Sequence, residues 1–176
     1  MKKFNAQRFI VNCGLDQLDQ VIKKYAPARI ISTLPEDQAP VTPSYMDKAC
    51  HLKLTFNDIS RPIDGLSAVE NTHIEQLLAF TNNWTEEAPL LIHCWMGISR
   101  STATALTLCN YLHPEISEKD WAMHLRKQAP SATPNPRIIA LADSALNRKG
   151  RLIDSATFIG RGRDASSGKY FIMTKP

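Results

Sequence analysis

No run of apolar residues in this chain approaches the roughly 18 that a membrane-crossing helix needs, so a transmembrane span is excluded. The start, Met1 to Arg8, leads into only Phe9 to Val11 before Asn12, too short for the apolar core of a signal peptide. A soluble protein without an export signal is predicted. No CxxC pair occurs among Cys13, Cys50, Cys94 and Cys109, and a chain of 176 residues needs no disulfide staples, so the expected location is a reducing compartment, the cytoplasm. His51, His73, His93, His113 and His124 show neither HxxH nor HxxxH spacing and no accompanying carboxylate cluster, so neither a metal nor a cofactor is expected. Internal repeats and low-complexity tracts are also lacking, which excludes repeat arrays and biased linkers.

What remains is 43% hydrophobic and 22% charged, enough apolar material for one globular core. The formal charge of +4 is uneven: residues 147–176 hold 7 Lys and Arg against 2 Asp and Glu, while residues 1–146 hold 14 against 15. A basic tail suits an acidic partner or nucleic acid, but a solvated or loosely docked extension is the simpler reading. No nucleic-acid partner is predicted.

Phe9-Ile10-Val11 reads as a buried strand ended by Cys13-Gly14, and Leu15, Leu18, Val21, Ile22 and Tyr25 then recur at helical spacing until Pro27. Arg29 to Leu34 and His51 to Phe56 read as strands, separated by a proline-marked loop from Pro35 to Ser44. From Asn57 to Asn71 nothing is periodic, which predicts a surface loop long enough to carry function. Thr72-His73-Ile74-Glu75 has the form of a capping box, opening a helix that carries Ile74, Leu77, Leu78 and Phe80 inward up to Asn83. Pro89 to His93 is an apolar run suited to a central strand, followed by a largely buried helix from Ser101 to Leu112 and another from Ser117 to about Gln128. Asn135 caps a last helix with Pro136 at its first position, and Ile138, Ile139, Leu141, Ala142, Ala145 and Leu146 supply its apolar face until Gly150. The alternation predicts one α/β domain, with a central, mainly parallel sheet flanked by helices.

The segment His93-Cys94-Trp95-Met96-Gly97-Ile98-Ser99-Arg100-Ser101 sets a cysteine at the end of a buried strand, six residues before an arginine that opens a helix. A loop tightening into a helix start points the N–H groups of Trp95 to Arg100 at one spot, where they and the helix dipole favour a phosphate dianion and a thiolate. Gly97 permits the turn. Arg100 offers a planar fork of N–H donors matched to phosphoryl oxygens, a geometry lysine lacks.

This nonapeptide resembles the HCxxGxxR[ST] signature of the cysteine-dependent tyrosine and dual-specificity phosphatases, in particular small bacterial-type tyrosine phosphatases. By average residue usage it arises by chance on the order of once in 10⁴ to 10⁵ chains of this length, so the signature is specific. The resemblance covers residues 50–147 most clearly, within a catalytic domain of residues 1–150, with residues 151–176 a basic extension of unassigned role. It implies that Cys94 is the nucleophile, that Trp95, Met96, Gly97, Ile98, Ser99 and Arg100 bind phosphate, and that the Ser101 hydroxyl helps the sulfur leave. It further implies that His93 supports the loop rather than moving protons. Cys13, Cys50 and Cys109 read as small buried hydrophobes, one of them a potential resolving thiol.

The family's general acid is an aspartate upstream of the cysteine. Asp58, 36 residues before Cys94, follows a strand into a loop as the family pattern requires; Asp64, 30 residues before, fits the family's gap of about thirty better. The choice falls on Asp58, because residues 60–71 look like a short insertion. Asn135 matches a family asparagine near a late helix start, with capping as its expected role. Arg61 suits either an anionic substrate or a neighbouring carboxylate.

The resemblance thus implies hydrolysis of a phosphomonoester through a phosphocysteine. The substrate is a phosphotyrosine protein, with dual specificity open, or a small phosphomonoester. A loop without lysine argues against highly charged phosphoinositide headgroups. A rhodanese-like sulfurtransferase and a catalytically silent phosphate-binding module remain as rivals.

Overall fold

Leu90, Leu91 and Ile92 are apolar in succession, and a strand of that kind is stable only where both faces of its sheet are covered. A computed structural model of the chain describes residues 9–38, 40–82, 84 and 88–176, and all three of these residues are fully buried. The segment Met1 to Arg8, and Asn83 where the sequence places a helix end, lie outside the described residues.

Strands β1 (Ile10–Gly14), β2 (Arg29–Thr33), β3 (His51–Leu54), β4 (Leu90–Cys94) and β5 (Phe171–Met173) form one sheet in the order β3-β2-β4-β1-β5. The first four are mutually parallel and only β5 runs antiparallel, against β1. The expected mainly parallel α/β sheet is therefore present. Alternation sorts the side chains: Val11, Cys13, Ile30 and Leu91 face α1 (Leu18–Tyr25), while Ile10, Ile31, Leu90 and Ile92 belong to the larger core on the other face. That core is shared with α2 (Asn71–Asn82), α3 (Arg100–Leu112), α4 (Glu118–Gln128), α5 (Pro136–Ala145) and α6 (Arg151–Ile159).

α3 is buried from Arg100 to Asn110, although it contains three threonines and an asparagine. Their donors are satisfied locally: Thr104, Thr107 and Asn110 each donate to the carbonyl four residues back, and Thr102 donates to those of Ile98 and Ser99, just before the helix, while Asn110 Oδ1 has no hydrogen-bond partner among the described residues. Asn135 and Pro136 start α5 as expected, with Asn135 Oδ1 accepting from the N–H groups of Arg137 and Ile138. The start of α2 is different. Thr72 lies inside the helix, and the Glu70 N–H donates to His73 Nδ1 at 3.0 Å, so histidine fills the reciprocal place that the capping-box reading gave to Glu75.

The chain beyond Gly150 departs most from expectation. Instead of a solvated or loosely docked extension, residues 151–159 form α6, which packs on α4 and α5 with Leu152 fully buried, and residues 171–173 complete the sheet edge as β5. The basic residues of this region are exposed: Arg151 stands on the outside of α6 beside the buried Leu152, and Arg161, Arg163, Lys169 and Lys175 lie outside α6 and β5. No helix among the described residues is long and apolar enough to cross a membrane.

Candidate active site

Parallel neighbours on both sides fix β4 at the centre of the sheet, and Cys94 is its last residue. Ligands of open α/β sheets bind at this carboxyl end. The loop from Trp95 to Ser99 turns back through Gly97 at φ 70° and delivers Arg100 to the first turn of α3. A Cβ on Gly97 would lie 2.6 Å from the Gly14 nitrogen and 2.7 Å from the Cys13 carbonyl carbon, so only glycine lets the loop rest against β1.

The loop's carbonyls are held from outside by three separate parts of the chain. The N–H of Leu15 donates to the Trp95 carbonyl (3.0 Å), that of Gly168 to Met96 (2.8 Å), that of Thr133 to Ile98 (2.9 Å) and that of Asn135 to Ser99 (3.3 Å). A trans peptide directs its carbonyl and the following N–H to opposite sides. The N–H groups of Met96, Gly97, Ser99 and Arg100 are thereby turned away from those outer partners, toward the inside of the loop. Gly97 N–H does donate to Cys94 Sγ, at 3.2 Å. The helix N-terminus adds its partial positive charge, since no side chain caps α3.

Cys94 is buried, and its Sγ lies 3.1 Å from Ser101 Oγ, with either atom able to donate. Arg100 is buried too. One guanidinium nitrogen donates to the Phe56 carbonyl at 3.1 Å, and Nε lies 3.7 Å from Asp58 Oδ2 with no hydrogen-bond partner among the described residues. Asp58 Oδ1 accepts from Ser99 Oγ at 2.7 Å and from Asn135 Nδ2 at 2.8 Å. Of the two upstream carboxylates, Asp58 reaches the cysteine loop. Asp64 and Arg61 stand exposed in the same segment, and among the described residues no hydrogen bond or ion pair joins either to the loop.

His93 is fully buried beneath the loop, with Nε2 2.6 Å from Ser32 Oγ, which in turn lies 2.7 Å from His51 Nε2. His51 Nδ1 is 2.9 Å from Thr42 Oγ1. Burial holds the His93 ring down to about 3 and the His51 ring, helped by Lys53, down to about 4, so both are neutral near pH 7. Ser32 then donates to one ring and accepts from the other. The Thr33 hydroxyl also donates to the His93 carbonyl, anchoring the backbone just before Cys94.

The structure thus gathers Cys94, Arg100, Ser101, Ser99, Asp58 and Asn135 at one end of the sheet, with His93 behind them. Sequence reasoning missed Asn12, Ser32, His51 and the Phe56 carbonyl. Asn12 carried a signal, being polar at the end of the apolar run Phe9 to Val11; the Phe56 carbonyl carried none. All four cysteines are free; burial, with the nearby Cys94 second, pushes the Cys13 thiol up, and burial alone pushes the Cys109 thiol up. Among the described residues no group of three or more His, Cys, Asp or Glu could hold a metal ion.

No protein-family model matches the chain, and neither does any curated protein. Solved structures do. The Cydia pomonella PTP-2 phosphatase is 17% identical, with 77% of this chain and 84% of that one covered at a TM-score of 0.61. The Yvh1 phosphatase domain from Chaetomium thermophilum is 17% identical over 85% of this chain and 96% of that one, at 0.60. A human tyrosine phosphatase-like serine/threonine/tyrosine-interacting protein is 16% identical over 77% and 86%, at 0.57. With its cysteine loop joining the central strand to the buried helix, the chain has the fold of the cysteine-dependent tyrosine and dual-specificity phosphatases.

Proposed function

We propose that this chain is a phosphomonoester hydrolase acting through a phosphocysteine on Cys94, with phosphotyrosine in proteins as its principal substrate and Asp58 as general acid. The observation that carries the reading is the convergence of five groups: Cys94 Sγ beside the Gly97 N–H and Ser101 Oγ, and Asp58 Oδ2 at 3.7 Å from Arg100 Nε.

In the first step the Cys94 thiolate attacks phosphorus, the bond to the leaving oxygen breaks, and the Asp58 carboxyl gives that oxygen its proton. Arg100, with one nitrogen engaged by the Phe56 carbonyl, presents its Nε side to the equatorial oxygens as the phosphoryl group moves. In the second step Asp58 takes a proton from water, the water oxygen attacks phosphorus, and the electron pair of the phosphorus–sulfur bond returns to Cys94, stabilised by the Ser101 hydroxyl. Cys94 has to stay reduced throughout, which fits a reducing compartment such as the cytoplasm.

A silent phosphate-binding module would need no acid at the loop, and the reach of Asp58 supports the hydrolase over it. Trp95 and Met96 are exposed on the loop, a surface that suits an aromatic phosphoester better than a polyanionic headgroup.

The test is hydrolysis of p-nitrophenyl phosphate and of phosphotyrosyl, phosphoseryl and phosphothreonyl peptides with EDTA present, across about pH 5 to 9. Turnover with a bell-shaped acidic profile, lost in Cys94→Ser, is the expected result. A rate that keeps rising to the alkaline limit sinks the mechanism, and wild-type binding without turnover favours the silent module. Thiosulfate-to-cyanide transfer would move the chain to the sulfurtransferases.

A further inference from the structure

Asn12 stands where the fold asks for valine or isoleucine. It lies within β1, paired to Ile92 of β4 on one side and Phe171 of β5 on the other, and is fully buried. A carboxamide in such a strand is an expense unless its polar atoms are used. Its Oδ1 accepts from Ser101 Oγ at 3.2 Å, while its Nδ2 has no partner among the described residues.

Ser101 has one proton and two neighbours for it. With Cys94 as a thiol, the S–H donates to Ser101 Oγ across 3.1 Å and the hydroxyl donates onward to Asn12 Oδ1. With Cys94 as a thiolate, the hydroxyl has to turn toward sulfur, and its oxygen then lacks a donor from the strand side. A half-turn of the Asn12 carboxamide supplies that donor, Nδ2, at nearly the place Oδ1 held. Leucine or valine could do neither job, and aspartate when ionised could only accept.

We propose that Asn12 is a positioning residue that sets the direction of the Ser101 hydroxyl, accepting from it while Cys94 holds its proton and donating to it when sulfur carries the charge. The inference rests on the hydrolase reading and deepens it. No proton leaves Asn12 or Ser101; only the sense of their hydrogen bonds reverses, so its effect falls on the step that returns the electron pair to sulfur.

Rapid-mixing kinetics with p-nitrophenyl phosphate, run on wild type, Asn12→Ala, Ser101→Ala and the double variant, test this. Asn12→Ala is expected to slow phosphocysteine hydrolysis about tenfold, to change its formation less than about threefold, and so to produce a burst of p-nitrophenolate. In the Ser101→Ala background the same substitution is expected to matter less than about twofold, because the group it orients is gone. Additive losses in the double variant overturn the proposal, as does an equal slowing of both steps. Asn12→Val guards against misfolding: it is expected to melt at or above the wild-type temperature and still show the burst, whereas a purely structural asparagine would lose stability without one. A second readout needs no turnover. Iodoacetamide alkylation of Cys94 at fixed neutral pH is expected to slow several-fold in Asn12→Ala and no further in the double variant. If wild type forms no phosphocysteine, the hydrolase reading fails by itself, and equal alkylation rates in wild type and Asn12→Ala would then dispose of the positioning role separately.

Discussion

The carboxamide of Asn135 joins Asp58 to the start of α5: its Oδ1 accepts from the N–H groups of Arg137 and Ile138, while its Nδ2 donates to Asp58 Oδ1 at 2.8 Å. One side chain thus caps a helix and holds the proposed acid. Serine shares the capping chemistry but has no second arm. Asn135→Ser is therefore expected to leave the melting temperature close to wild type while lowering kcat about tenfold. Asn135→Ala is expected to cost about 1 kcal/mol in stability as well, and melting curves beside steady-state rates separate the two roles.

Asp58→Asn is expected to lower kcat on phosphotyrosyl peptides by about 10² to 10⁴ with little change in KM. The loss should be smaller on p-nitrophenyl phosphate, whose leaving group needs less protonation. Asp64→Asn, at an exposed position, is expected to stay within about twofold of wild type. A reversed ranking of the two variants would transfer the acid role to Asp64.

Gly97→Ala forces a Cβ to within 2.6 Å of the Gly14 nitrogen at a residue with φ 70°. The expected cost is on the order of 2 to 5 kcal/mol, from the left-handed backbone and the displaced strand together. Denaturant titration measures it, and weaker inhibition by inorganic phosphate would report the accompanying damage to the loop.

Acid is expected to destabilise the fold through the two buried histidines. Their folded-state values, about 3 for His93 and about 4 for His51, lie below the unfolded value of about 6.5, so the unfolded chain binds more protons between those limits. Their contribution is complete above about pH 6.5 and declines as the pH falls toward 4 and then 3, with up to one proton taken up on unfolding per ring. His51→Gln is expected to flatten the fall of melting temperature with pH. An unchanged slope would place the acid sensitivity elsewhere.

Leu152 is fully buried between α6 and the helices it covers. Leu152→Ala is expected to cost about 2 to 5 kcal/mol, as for other buried leucines. An exposed extension would tolerate the change, so one chemical-denaturation curve distinguishes the two descriptions of residues 151–159.

The loop from His93 to Ser101 was legible because its chemistry and its geometry are local: a buried run, a glycine, and an arginine at a helix start are read from nine consecutive residues. The same is true of Asn135 with Pro136. Asn12 was not legible as part of the site, because its partner Ser101 lies 89 positions away and only the strand order brings the two together. β5 is three residues long and draws its identity from pairing with β1, which no local pattern specifies. α6 is legible only in part: Leu152, Ala156 and Ile159 recur at helical spacing, but within a segment whose arginines and lysine make it read first as basic. Sequence alone also left Asp58 and Asp64 in competition, since spacing measures chain length and not the direction in which a loop folds back.

The hydrogen bond from the Gly168 N–H to the Met96 carbonyl ties the cysteine loop to a residue 72 positions further along the chain. In a protein made from its N-terminus onward, Met96 has emerged long before that donor exists, and β1 likewise waits for β5 to cover its edge. A ribosome stalled at residue 160 would hold a chain with its cysteine and arginine already made, yet with one peptide of the loop unanchored. Synthesis past Gly168 is thus written into the geometry as a condition for anchoring the cysteine loop, and a chain terminated before it lacks that anchor.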